Sequence, residues 1–203
     1  MTKIATPEIR QKQIMDAAVT CFACKGYYET TMDDIVRESK LSKGSLYWHF
    51  KSKRELFRRL MEVWYGEFME GMAQVISGEG SASERLALIF QSLEASAAAR
   101  PELIRAQIEF YTFAVRDQEF SAWFHRMYVD TIALLSTLIE LAIEEGEFRR
   151  VDPTATARML MAYMDGALLH REMLLHHEDN TPGIAEMATT VIALLRKSED
   201  DDA

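Results

Sequence analysis

Apolar residues recur at three- and four-residue intervals along almost all of the 203 residues, and no alternating run bounded by turn residues interrupts them. This pattern predicts an all-α chain. Thr6 caps and Pro7 opens a first helix whose apolar stripe, Ile14, Ala17, Ala18, Cys21 and Phe22, leads to a stop at Gly26. Thr30-x-x-Asp33 predicts a capping box and a short helix to about Glu38, and Ser42 starts another. Ser52-x-x-Glu55 caps a long helix that carries Leu56, Leu60, Val63, Trp64 and Phe68. Beyond a Gly/Ser-rich linker from Ser77 to Ser83, helices are expected near 84–99, 101–115, 117–146 and 154–178, the last after Asp152-Pro153. Thr181-Pro182 begins a final helix that ends near Lys197.

The two short helices between Thr30 and Phe50, joined by three or four residues, have the form of a helix-turn-helix. Ile35, Val36, Leu41, Leu46 and Phe50 can interlock them with Phe22 into a three-helix core. That leaves Lys43, Ser45, Tyr47, Trp48 and His49 on the opposite face, with Gly44 removing bulk beside them. A helix of this size fits the major groove, and such side chains reach base edges and phosphates. The net charge of −9 argues the other way until it is divided along the chain. Residues 1–60 hold 12 Lys+Arg against 7 Asp+Glu, a net +5, and the remainder carries −14. Lys51, Lys53 and Arg54 oppose the dipole of the helix they begin, which calls for compensation outside that helix, and phosphate would supply it. An ordinary solvated basic face, with Tyr47 and Trp48 as packing residues, remains the plainer alternative.

The stretch from Thr31 to Leu56 resembles the DNA-binding signature of the TetR (tetracycline-repressor) family, reading Thr31, Ile35, Ser39, Leu41, Ser42, Gly44, Tyr47, His49, Phe50, Lys53 and Leu56. The resemblance covers about the first quarter of the chain. It implies that Thr31, Tyr47, His49 and Lys53 hold phosphates and that Lys43, Ser45 and Trp48 face bases, so the expected DNA-binding set is Thr31, Ser42, Lys43, Gly44, Ser45, Tyr47, Trp48, His49 and Lys53. Ser39-Lys40 stands where the family has Ala-Gly, and a lysine forced to positive φ there costs on the order of 1 kcal/mol. The implied partner is a partly palindromic double-stranded DNA operator, read by two recognition helices about 34 Å apart.

Toward the C-terminus, Met159, Ala162, Gly166, Leu169 and Met173 form one stripe and Met187, Val191 and Leu194 another. On pattern alone they serve equally as internal core or as a partner face. The resemblance implies the latter, a homodimer joined through its last two long helices as a four-helix bundle. The middle helices are rich in aromatic and methionine side chains, most of them core by their spacing. The resemblance also implies a small-molecule cavity among them, with Trp64, Phe68, Phe90, Glu109, Phe110, Phe113, Trp123, Met127, Tyr128 and Tyr163 as candidate lining and a largely apolar ligand, cationic if Glu109 or Asp165 faces it.

Other chemistry finds little support. Cys21 and Cys24 form a CxxC inside a helix, without the preceding strand of a redox motif or a second ligand pair for zinc, and read as structural thiols. His170, His176 and His177 near a helix end suit its dipole rather than a metal. No phosphate loop or nucleophile motif occurs, so neither an enzyme nor a cofactor is expected. The rival reading is a helical-bundle enzyme or cofactor-binding protein without DNA affinity. No apolar leader and no uncharged run of about 20 residues is found. The expectation is therefore a cytoplasmic regulator, most simply a repressor, with no membrane partner, a helix-turn-helix domain over residues 1–52 and a larger helical ligand-binding and dimerisation domain over 53–203.

Overall fold

Capping side chains set where the helices begin. In the computed structural model, which describes residues 6–174 and 183–197, Thr6 caps α1 (Pro7–Glu29) and Thr31 caps α2 (Met32–Ser39). Ser42 caps α3 (Lys43–His49), and α4 covers Lys53–Ile76. Ser81 and Glu84 close a capping box on α5 (Ala82–Ala99), which precedes α6 (Pro101–Ala114) and α7 (Gln118–Glu144). Then come α8 (Pro153–Leu174) and α9 (Ile184–Leu195). The described residues add one isolated antiparallel bridge, Phe148 with Arg196.

Two boundaries differ from expectation, and a third falls where the structure is not described. The capping box of α2 is Thr31 with Asp34, one residue beyond Thr30 and Asp33, because the Thr30 hydroxyl is buried and donates to the carbonyls of Cys21 and Gly26 instead. Gly26 kinks α1 rather than ending it: at φ +75° and ψ 166° it breaks the helical path, and one further turn follows before Thr30. The expected end of α8 near 178 and the start of the last helix at Thr181 lie outside the described residues.

Packing divides the chain into two units, one of residues up to 66 together with 101–121, the other of 67–100 together with 122 onward. In the first, Ile14, Ala18, Phe22, Ile35, Leu46, Phe50 and Leu56 are buried around α1 to α4. An aromatic cluster continues that core. Phe22 meets Phe57 edge-on at 5.1 Å, Tyr27 meets Phe113 of α6 at 4.3 Å, and Phe120 packs on Phe113 at 5.0 Å. These contacts draw α6 to the first unit, so the packing division does not follow the chain boundary expected at residue 52. In the second unit α5 packs against α9, and α8 also touches α9. Glu147 secures this unit by accepting from the Ala82 amide (3.0 Å) and Ser81 hydroxyl (2.8 Å), while its carbonyl accepts from the Lys197 amide (2.9 Å).

The link from α2 to α3 turns on Lys40, which holds φ +56° and ψ 24°. A side chain in this left-handed region costs roughly 1–2 kcal/mol, part of which glycine gives back through its greater freedom when unfolded. Lys40→Gly should therefore raise stability by about 0.5–1 kcal/mol in urea unfolding with the m-value unchanged; a loss of stability would contradict this account of the turn.

Candidate nucleic-acid interface

Helices of eight and seven residues cannot persist alone, so α2 and α3 are held by caps and by the core beneath them. On α2, the Thr31 hydroxyl accepts from the Asp34 amide (3.1 Å) while the Asp34 carboxylate accepts from the Thr31 amide (2.9 Å). The same carboxylate pairs with Lys25 of α1 at 2.8 Å and with Arg37. The Lys25 hydrogen bond, followed by those from Thr31, holds the Asp34 carboxyl far below the usual range. At the far end, Gln13 of α1 donates to the Ser39 carbonyl at 2.7 Å. On α3, the Ser42 hydroxyl accepts from the Ser45 amide (3.1 Å).

With Leu46 fully buried, the rest of α3 turns outward. Trp48 is 65% exposed and Tyr47 37%, large aromatic areas for so short a helix. Trp48 rests edge-on against the half-buried His49 at 4.6 Å. Gly44 is open: a Cβ placed there would meet nothing within 4 Å. Lys43 reaches back to Asp33 of α2 at 2.7 Å, and that carboxylate raises the lysine's pKa. Both partners are exposed, so the bond is weak and Lys43 remains available to a stronger anion. Thr31, Ser42, Lys43, Gly44, Ser45, Tyr47, Trp48 and His49 thus lie at the ends of α2 and along α3, all exposed or half-buried.

Lys53 is engaged within the protein. Its ammonium donates to the carbonyls of Tyr27 (2.5 Å), Thr30 (2.6 Å) and Tyr28 (3.1 Å) and lies 4.4 Å over the Tyr27 ring. Three donors meet three acceptors, and burial pushes the lysine's pKa down. The neighbouring charges are also compensated within the chain. Arg54 pairs with Asp117 at 3.0 Å and Glu119 at 2.7 Å, and Lys51 donates to the Tyr47 carbonyl at 3.0 Å. The sequence showed excess charge at the start of α4 but not these partners, which lie up to 65 residues away.

The other expected sets fall as follows. Trp64, Glu109, Phe110 and Phe113 belong to the first unit, and Phe68, Phe90, Trp123, Met127, Tyr128 and Tyr163 to the second. Phe110, Phe90 and Met127 are buried core, and the Glu109 carboxylate accepts from the Tyr27 amide at 3.3 Å. In the second unit a groove of about 380 Å³ opens between α7 and α8, where Tyr128, Ile132, Ser136 and Arg158 are among its walls. On α8 and α9, Met159, Leu169, Met173 and Leu194 are 41–68% exposed, Ala162 is exposed, and Gly166 and Val191 are half-buried. Met187, His176 and His177 lie outside the description. Cys21 is buried and Cys24 exposed, both free, and burial raises the Cys21 pKa. Among the described residues no three His, Cys, Asp or Glu side chains gather as metal ligands, and no helix is long and apolar enough to cross a membrane.

Comparison with known proteins agrees with this arrangement over most of the chain. Residues 14–60 match the family model for bacterial regulatory proteins of the tetR family, and residues 82–196 match that for the C-terminal part of BetI-type transcriptional repressors. The uncharacterized HTH-type transcriptional regulator YfiR of Bacillus subtilis is 27% identical over 94% of either chain. A TetR transcription regulator from Haloarcula marismortui superimposes with a TM-score of 0.78 at 22% identity, covering 93% of this chain and 98% of its own. FadR from Bacillus subtilis in complex with stearoyl-CoA does so with a TM-score of 0.75 at 23% identity, covering 92% and 97%. The two structures establish likeness of fold.

The depressed Asp34 pKa makes the α2 cap acid-sensitive in a defined direction. A carboxyl lowered by folding contributes stability that is present above its unfolded pKa, about 4, and is lost as pH falls through the folded value. The stability difference between wild type and Asp34→Ala should therefore be full at pH 7 and shrink on acidification below pH ~4. Urea titrations across pH check this, and a difference that grows in acid would contradict it.

Proposed function

The chain belongs to the TetR family of bacterial regulatory proteins, and we propose that it acts in the cytoplasm as a dimeric repressor, released from its operator by a small, largely apolar molecule. It is a DNA-binding transcriptional regulator and not an enzyme. One observation carries the assignment of the reading surface: Tyr47 and Trp48 stand out from a helix whose inward face is spent on Leu46, beside a glycine that leaves open space. In this reading α3 enters the major groove, Tyr47 and His49 meet phosphates, and Lys43 and Trp48 meet base edges. Thr31 and Ser42 bring their helix N-termini to the backbone. Lys53 is not given a direct contact, since its three donors are already used.

Dimerisation is supported by the exposed Met159, Leu169, Met173 and Leu194, which a second copy would cover. Release by an apolar molecule is supported by the aromatic and methionine side chains of the second unit, and FadR of the same fold holds stearoyl-CoA. Such a ligand must bind the free form more tightly than the DNA-bound form, by roughly 1–3 kcal/mol for a useful switch.

Selection of bound sequences from random duplex DNA tests the reading directly, and enriched half-sites about one helical turn apart are the expected result. On the selected duplex, Tyr47→Ala and Trp48→Ala should each weaken binding by about tenfold or more with the melting temperature retained. Wild-type affinity in both variants would remove α3 from the interface. The dimer has its own test in Gly166, where a Cβ would meet nothing within the protomer. Gly166→Leu should keep the protomer folded while sedimentation shows a shift toward monomer. A wild type that sediments as monomer at micromolar concentration would contradict the dimer.

A further inference from the structure

We propose that Glu109 and Lys53 are positioning residues for DNA reading: from α6 and α4 they grip the two ends of the last turn of α1 and thereby fix where α2 begins. The proposal rests on the reading of α2 and α3 as the duplex-binding pair. Gly26 makes the grip possible. Its positive φ separates residues 27–29 from the rest of α1 as a single turn with its own N–H end and C=O end. At the N–H end the Glu109 carboxylate accepts from the Tyr27 amide, in space that exists because residue 26 has no side chain. A Cβ there would lie 3.2 Å from Glu109 Oε1.

At the C=O end the Lys53 ammonium collects the carbonyls of Tyr27, Tyr28 and Thr30. An anion at the N–H end and a cation at the C=O end match the dipole of the turn. Between them Tyr27 is buried against Phe57 and Phe113, and the Thr30 hydroxyl ties the turn back to the Gly26 carbonyl at 2.7 Å. The next residue is Thr31, the cap of α2. Any shift of α6 along its axis therefore pulls on the turn through Glu109 and reaches Thr31 within five residues. Lys53, for which the family resemblance implied a phosphate contact, acts through that turn instead.

Salt separates the two roles. A side chain that touches phosphate contributes about 1 to the slope of log K against log salt, whereas one that positions another residue changes affinity and leaves the slope alone. Binding of the duplex selected by the wild type is measured across salt for Glu109→Ala, Glu109→Gln and Lys53→Met, with hydrogen exchange at the Tyr27 amide. Glu109→Ala and Lys53→Met should each lose about tenfold in affinity at the wild-type slope. Glu109→Gln, whose amide oxygen still accepts from Tyr27, should retain most of the binding. In the wild type, duplex should slow exchange at Tyr27, a reading that holds even if a variant fails to fold. A slope reduced by about 1 per protomer in Lys53→Met, unaltered affinity in Glu109→Ala, or Tyr27 exchange indifferent to duplex would each overturn the proposal. A wild type that selects no duplex would instead sink the DNA-binding surface itself.

Discussion

Everything at the reading end of this protein follows from one constraint: a helix of seven or eight residues has no stability of its own. Nucleation costs more than so few backbone hydrogen bonds return, so α2 and α3 exist because other elements hold them. Ile35, Leu46 and Phe50 insert into the core that α1 and α4 supply, and the caps at Thr31 and Ser42 satisfy amides that the helices cannot. The arrangement has a functional consequence. Once the interior of α3 is committed to Leu46, Tyr47 and Trp48 have only the outside to occupy, and a rigid support presents them in fixed directions.

Charge follows the same logic. The excess of basic residues near the start of α4 suggests an anionic partner, yet Lys51, Lys53 and Arg54 find theirs among backbone carbonyls, Asp117 and Glu119. These residues build the platform on which the reading helix stands. Lys43, by contrast, has one exposed carboxylate beside it and lies at the open N-terminus of α3. In the proposed reading, attraction to a duplex is thus concentrated where the helix would use it, and the acidic remainder of the chain would disfavour binding elsewhere.

Much of this was legible in the sequence. Helical spacing marked all four helices of the reading end, and the order Ser42, Gly44, Tyr47, His49, Phe50 marked the turn-to-helix step because each position answers a local demand: a cap, an absent side chain, an outward ring, a buried ring. Local rules also had local limits. Thr30 and Thr31 are equally good caps on paper, and the choice is made by the buried carbonyls that claim the Thr30 hydroxyl. Gly26 looked like a stop because periodicity cannot tell a helix that ends from one that kinks. The intramolecular partners of Glu109 and Lys53 were not legible because they lie 82 and 23–26 residues away. Such pairings are decided by tertiary packing, on which spacing is silent.

The central claim is that α3 lies against the bases, and its open glycine offers a direct probe. A Cβ meets nothing within 4 Å at Gly44 on α3 or at Gly71 on α4, so a cysteine fits either place without disturbing the protomer. With Cys24 replaced by serine, Gly44→Cys and Gly71→Cys are each incubated with the selected duplex carrying a disulfide-forming tether on a major-groove base edge, and the crosslinked fraction is measured. Crosslinking from position 44 with none from 71 is the result this account predicts; crosslinking from 71 with none from 44 would contradict it.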